Sequence, residues 1–130
     1  MTPLLLDTHA WVWWAAEPGK LSVRARRTIE NSRGIGISAI SPWEVAMLVS
    51  KGRLTLDREV LVWVRQALAL PRVELIPLSP EIAVASTNIG PGFPGDPADR
   101  ILVATALRLR APIVTRDKRL RAFGGLTTIW

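Results

Sequence analysis

Leu4-Leu5-Leu6-Asp7-Thr8-His9 is the stretch from which the fold is read. Three consecutive leucines leave no polar face, as in a strand buried on both sides. An acid follows at once, and residues 8–16, rich in Trp and Ala, read as a short helix. Similar signals recur down the chain. Ser22 caps a helix over 23–32, closed by Gly34, and residues 35–38 form a second short strand. Ser41-Pro42-Trp43-Glu44 has Ser at the cap, Pro in the first turn and Glu three residues after the cap. That helix is expected to run to about Ser50 and stop at Gly52. Asp57 is expected to open another helix to about Leu70, ended by Pro71. Residues 73–76 are a third strand, and Ser79-Pro80 starts a helix to about Asn88. After a loop at 90–95, Asp96-Pro97 starts a helix to about Arg110. Residues 112–115 are a fourth strand, 118–123 a short helix and 126–129 a last strand.

This alternation predicts an α/β fold in three layers. A central, mostly parallel sheet of four to five strands is flanked by helices on both faces. Crossovers are expected to be right-handed. No repeat or interdomain linker interrupts the pattern, so residues 1–130 read as a single domain.

Composition narrows the chemistry. With 130 residues, 48% of them hydrophobic, the chain can bury a core without staples. It has no cysteine, which excludes a disulfide scaffold, a zinc-thiolate site and a thiol nucleophile. The lone histidine, His9, excludes any site that needs two imidazoles. Seventeen basic residues against eleven acidic ones leave a net charge of +6. That excess suggests an anionic partner, nucleic acid first. Most of the cations are arginine, and Ala and Pro are plentiful, a bias that a genome rich in G and C also gives. No segment approaches the ~20 apolar residues of a membrane span, and no basic region precedes the leucines. A cytoplasmic protein without a membrane partner is expected.

One literal motif fails on context. Gly90-Pro91-Gly92-Phe93-Pro94-Gly95 fits G-x-G-x-x-G, but it follows a helix and holds two prolines, which have no amide hydrogen for a pyrophosphate. No Walker-type phosphate loop or G-x-S-x-G elbow is present.

Four of the acids sit at special places. Asp7 ends the first strand, Glu44 opens the helix after the second, Asp99 lies in the first turn after Pro97, and Asp117 follows the fourth strand. Each alone also reads as a helix cap, because carboxylates accept orphan amide bonds at helix starts. In a parallel sheet, however, all four fall at the carboxyl edge, where open α/β sheets bind ligands. Asp99 shares a helical face with Leu102, Val103 and Ala106, and Glu44 with Met47 and Leu48. Both carboxylates therefore point inward, where a charge must be paired or bind a metal. Asp96 fills the cap before Pro97 and leaves Asp99 without that task. One or two divalent cations would neutralise such a cluster, and hard oxygen ligands suit Mg²⁺ or Mn²⁺. Paired ions of this kind serve phosphodiester cleavage, and the basic surface would hold the phosphate backbone.

Leu5-Leu6-Asp7-Thr8-His9, Ser41-Pro42-Trp43-Glu44, Asp96-Pro97-Ala98-Asp99-Arg100 and Val114-Thr115-Arg116-Asp117 resemble, in order, the four acidic motifs of the PIN-domain ribonucleases. More narrowly, the chain resembles the VapC-type toxins of type II toxin–antitoxin pairs, over nearly its whole length. The resemblance implies a PIN-like α/β fold, metal-dependent endoribonuclease activity and inhibition by a small antitoxin protein. It makes Asp7, Glu44, Asp99 and Asp117 the metal-binding catalytic acids. Thr115 matches the hydroxyl residue often found in the last motif, where it could orient a ligand or a water.

Other residues carry competing readings. His9, two residues beyond Asp7, reads as a structural histidine before a general base. Thr8 reads as a turn or cap residue. Arg116, Lys118, Arg119 and Arg121 surround Asp117 and are candidate RNA-backbone contacts, while Arg24, Arg26, Arg27 and Arg33 form a second basic cluster. Both clusters read first as solvated faces, and the RNA-contact reading is stronger for the first because it borders the site. Trp11, Trp13, Trp14, Trp43, Trp63 and Trp130 could stack bases, but they read first as core or as a homodimer contact. Two rival functions stay open. A non-cleaving PIN-like RNA-binding or scaffold domain would have no use for four clustered acids. A phosphotransferase of haloacid-dehalogenase type would want an Asp where His9 stands.

Overall fold

In the computed structural model, which describes residues 3–90, 93 and 95–130, five strands form one sheet. They are β1 (Leu4–Leu6), β2 (Ile35–Ser38), β3 (Val73–Ile76), β4 (Ile113–Val114) and β5 (Thr128–Ile129). Their order is β3-β2-β1-β4-β5 and every pairing is parallel. The leucines opening the chain thus form the central strand, with Leu5 and Leu6 wholly buried. Leu6 pairs with Ile37 on one side and Val114 on the other. Asp7, Ser38 and Thr115 therefore emerge together at the carboxyl edge.

Side chains of successive strand residues point to opposite faces, so β1 feeds two cores. Leu4 and Leu6 join Trp11, Ala25, Ile29, Trp63 and Val64 on one side. These come from α1 (Thr8–Ala16), α2 (Val23–Asn31) and α4 (Val60–Leu68). Leu5 joins Leu102, Val103, Ile113 and Leu120 on the other, from α6 (Pro97–Leu109), α7 (Lys118–Ala122) and β4. The short α5 (Pro80–Ser86) packs on α6. The remaining helix, α3 (Ile40–Ser50), sends Val45 into the first core, while Ile40 packs against the second. The expected three layers are present.

Local signals locate most helix starts. Ser22, Ser79 and Asp96 each accept backbone N–H bonds from the first turn of α2, α5 and α6. Two starts differ from the sequence reading. Ser41 is not a cap: α3 begins at Ile40, and Ser41 is buried inside it. Asp57 does not open α4 either. Its carboxylate is held by Arg58, and Glu59 caps the helix by accepting from Leu61 and Val62 at 3.1 and 3.0 Å. Helix α5 ends at Ser86 instead of near Asn88, and β4 and β5 keep only two residues each. Of the 90–95 loop, Pro91, Gly92 and Pro94 lie outside the described residues.

Candidate active site

A cavity of about 470 Å³ opens at the carboxyl edge of the sheet, and Asp7, Glu44, Asp99 and Asp117 all line it. Four segments far apart in sequence deliver one acid each, because strand ends and helix starts meet at this edge. His9, Arg53, Asp96, Arg116 and Arg119 share the lining.

Asp7 is buried and fully engaged. As the N-cap of α1 it accepts the Ala10 N–H through Oδ1 at 2.8 Å. Its Oδ2 accepts the Thr115 hydroxyl at 2.6 Å. Cap and candidate ligand are thus the same residue. Burial raises its pKa, against the lowering pull of Thr115, Ala10 and His9. Thr115 is itself wholly buried and accepts the Asp117 N–H at 3.0 Å, so one hydroxyl ties two of the acids together.

Glu44 lies one turn into α3, and its Oε1 accepts the Thr8 hydroxyl. Thr8 Oγ1 is also 2.9 Å from the Ser41 hydroxyl. Burial raises the Glu44 pKa, with Thr8 opposing and the charges of Asp96 and Asp7 adding to it. Thr8 and Ser41, read from sequence as turn and cap residues, support this carboxylate instead. The Ser41–Glu44 spacing of three puts both on one face of α3, the local signal for such a role.

Asp99 stands in the first turn of α6 and its pKa is pushed up to about 6. Burial is the main cause. The charges of Asp96, Asp117 and Glu44 add to it, and Arg119 opposes. Asp117 behaves oppositely: the Arg119 guanidinium bonded to it holds its carboxyl below the usual range. Asp117 also caps α7, accepting the Arg119 N–H at 2.8 Å. Among the described residues no three acids are gathered as ready ligands of one ion. Instead Arg119 bridges Asp99 and Asp117, with Nη2 2.9 Å from an oxygen of each.

The basic residues divide. Arg116 and Arg119 line the cavity, whereas Lys118 and Arg121 are exposed on α7 outside its lining. Arg24, Arg26, Arg27 and Arg33 are exposed on and just after α2 and do not line it. Arg53 does, just past Gly52. Sequence spacing gave no sign of it, because the chain turns there through a left-handed Gly52. His9 is exposed, its ring 5.7 Å from that of Trp13. Trp11 is wholly buried, edge-on to Trp63 at 5.2 Å, and Trp13 meets Trp130 at 5.8 Å. Trp43 is exposed.

The family model of the PIN domain matches residues 4–126. The chain is 39% identical to Ribonuclease VapC22 of Mycobacterium tuberculosis (strain ATCC 25618 / H37Rv) over 122 residues, covering 94% of this chain and 92% of that protein. The fold is similar to that of DNA-bound VapBC from Salmonella typhimurium, with a TM-score of 0.73, 18% identity, and coverage of 98% of this chain and 97% of that one. VapBC2 from Rickettsia felis, bound to a DNA fragment from its promoter, gives 0.70 and 19%, with 96% of each chain covered. At these identities the solved structures speak for the fold alone. With four acids in order around one cavity and an aligned ribonuclease over nearly its whole length, the chain belongs to the PIN-domain family, among the VapC-type ribonucleases.

Proposed function

We propose that the chain is a metal-dependent endoribonuclease, the toxin of a toxin–antitoxin pair, with Asp7, Glu44, Asp99 and Asp117 as its metal-binding acids. The observation that carries this reading is the convergence of these four carboxylates on one cavity, three of them with raised pKa values. Desolvated carboxylates that repel one another favour a counter-charge. The guanidinium between Asp99 and Asp117 marks where a cation is already accepted. An all-oxygen donor set fits Mg²⁺ or Mn²⁺. When bound, one or two such ions supply a polarised water and neutralise charge developing on the phosphate.

The chain's own groups do the rest. Thr115 orients Asp7, Thr8 orients Glu44, and Asp96 fixes the start of α6 and so the position of Asp99. Arg116 and Arg119, which line the cavity, and the exposed Lys118 and Arg121 are the proposed contacts of the RNA backbone. Exposed Trp43, Leu61, Val62, Leu75 and Val84 offer apolar surface for a small antitoxin and for a second copy of the chain.

The test is cleavage of RNA with Mg²⁺ or Mn²⁺, against chelator and against Asp7→Asn. Metal-dependent products that vanish in Asp7→Asn support the reading. RNA binding without products under any metal would favour a non-cleaving RNA-binding domain.

A further inference from the structure

Arg119 is the one described cation that touches two of the four acids at once. Its Nη2 is 2.9 Å from Asp99 Oδ2 and 2.9 Å from Asp117 Oδ2. Asp7 and Glu44, by contrast, are held by threonine hydroxyls. One end of the cavity is thus organised by neutral donors, and the other by a charge that the chain itself provides.

We propose that Arg119 is an exchangeable counter-cation, which holds Asp99 and Asp117 until a divalent ion displaces it and so raises the metal concentration at which the site fills. This rests on the metal-dependent reading above. An ion that bound both oxygens would need the space between them that Nη2 now takes, so the two cations compete.

The geometry also lets Arg119 leave. Its side chain is 53% exposed, against 15% for Asp99 and 29% for Asp117, so the guanidinium is the member of the three with a path to solvent. Departure leaves the start of α7 intact. Asp117 Oδ1 keeps the Arg119 backbone N–H at 2.8 Å, a bond independent of the side chain. Exposed ion pairs are individually weak, so the competition should change metal affinity by a modest factor, about three- to tenfold.

The experiment is a Mn²⁺ titration of the full chain without RNA, at low ionic strength, reading free Mn²⁺ by its paramagnetic resonance signal. R119Q should bind Mn²⁺ about three- to tenfold more tightly than the parent. R116Q removes a charge from the same cavity lining but not from the Asp99–Asp117 gap, and should change affinity much less. In the parent, the Arg119 Nε–H resonance should move as diamagnetic Mg²⁺ is added, a reading that does not depend on any variant folding. Equal affinity in R119Q and the parent overturns the proposal. So does an equal gain in R116Q, which would reveal only a change in overall charge, or an Arg119 resonance unmoved at saturating Mg²⁺. If neither parent nor R119Q binds Mn²⁺, the metal-dependent reading itself falls and the proposal with it.

Discussion

The Thr115 hydroxyl donates to Asp7 Oδ2 at 2.6 Å, joining residues 108 positions apart. Parallel pairing makes this bond possible: Leu6 lies beside Val114, so the next residue of each strand meets the other at the sheet edge. The same hydroxyl accepts the Asp117 N–H, and Thr115 is wholly buried. Thr115 is therefore a positioning residue for Asp7 and Asp117.

Removing that hydroxyl should uncouple the two acids. Thr115→Val leaves Asp7 buried with one partner fewer, at a cost of about 1–3 kcal/mol in melting experiments. A bond that stabilised the carboxylate is lost, so the Asp7 pKa should climb further and cleavage should begin at a higher pH than in the parent. Thr115→Ser should restore both stability and the pH profile. A Val variant with the parent's pH profile would remove Thr115 from the site.

Without metal, the contribution of Asp99 to stability should fall as pH rises from about 4 to about 6, read as the difference between the parent and Asp99→Asn. Asp99 has its folded pKa raised from 3.8 to about 6, so in this window the folded chain binds more protons than the unfolded one. Burial acts in the same direction on Asp7 and Glu44. Melting in chelator at several pH values reads the slope. Glu44→Gln should melt no lower than the parent in chelator, because Gln can still accept the Thr8 hydroxyl, yet should gain less on adding Mn²⁺. A large loss in chelator with an undiminished Mn²⁺ gain would make Glu44 a structural residue.

The acids were legible because topology alone places them. A strand followed directly by Asp7, and helices that carry Glu44 and Asp99 near their starts, must share an edge once the sheet is parallel. Caps served by their own helix, such as Ser22, Ser79 and Asp96, could be read the same way. Ser41 could not, because its partner Thr8 is 33 residues away and outweighs a cap pattern that looks complete locally. Arg119 was legible as a cation near Asp117. Its second contact, to Asp99 20 residues earlier, depends on how α7 settles against α6, and no local spacing encodes it.

RNA binding should depend on the exposed face of α7. Lys118→Glu with Arg121→Glu changes charges outside the cavity lining and leaves Arg119 on its two acids. Binding of RNA to this double variant should be weakened at low salt, and the deficit should shrink as salt rises. An unchanged low-salt affinity would make this face simply a solvated one.

Two aspartates three residues apart should behave differently. Asp96 accepts the N–H groups of Ala98 and Asp99 at 2.9 and 3.2 Å, as the N-cap of α6. Asp96→Ala should cost about 0.5–2 kcal/mol, and Asp96→Asn little, since Asn caps nearly as well. Asp99 has no cap duty. Its carboxylate faces the cavity, and its charge is disfavoured there by burial and by three neighbouring acids. Asp99→Asn keeps the shape and removes that charge. It should fold at least as stably as the parent at neutral pH in chelator, and flatten the pH slope of stability. Cleavage should nevertheless be lost, because the removed charge is the one proposed to hold metal. The two measurements separate the roles: a cap loses stability and keeps chemistry, while a ligand loses chemistry and keeps stability. An inactive Asp96→Asn beside an active Asp99→Asn would reverse the assignment and make Asp96 the third acid of the site.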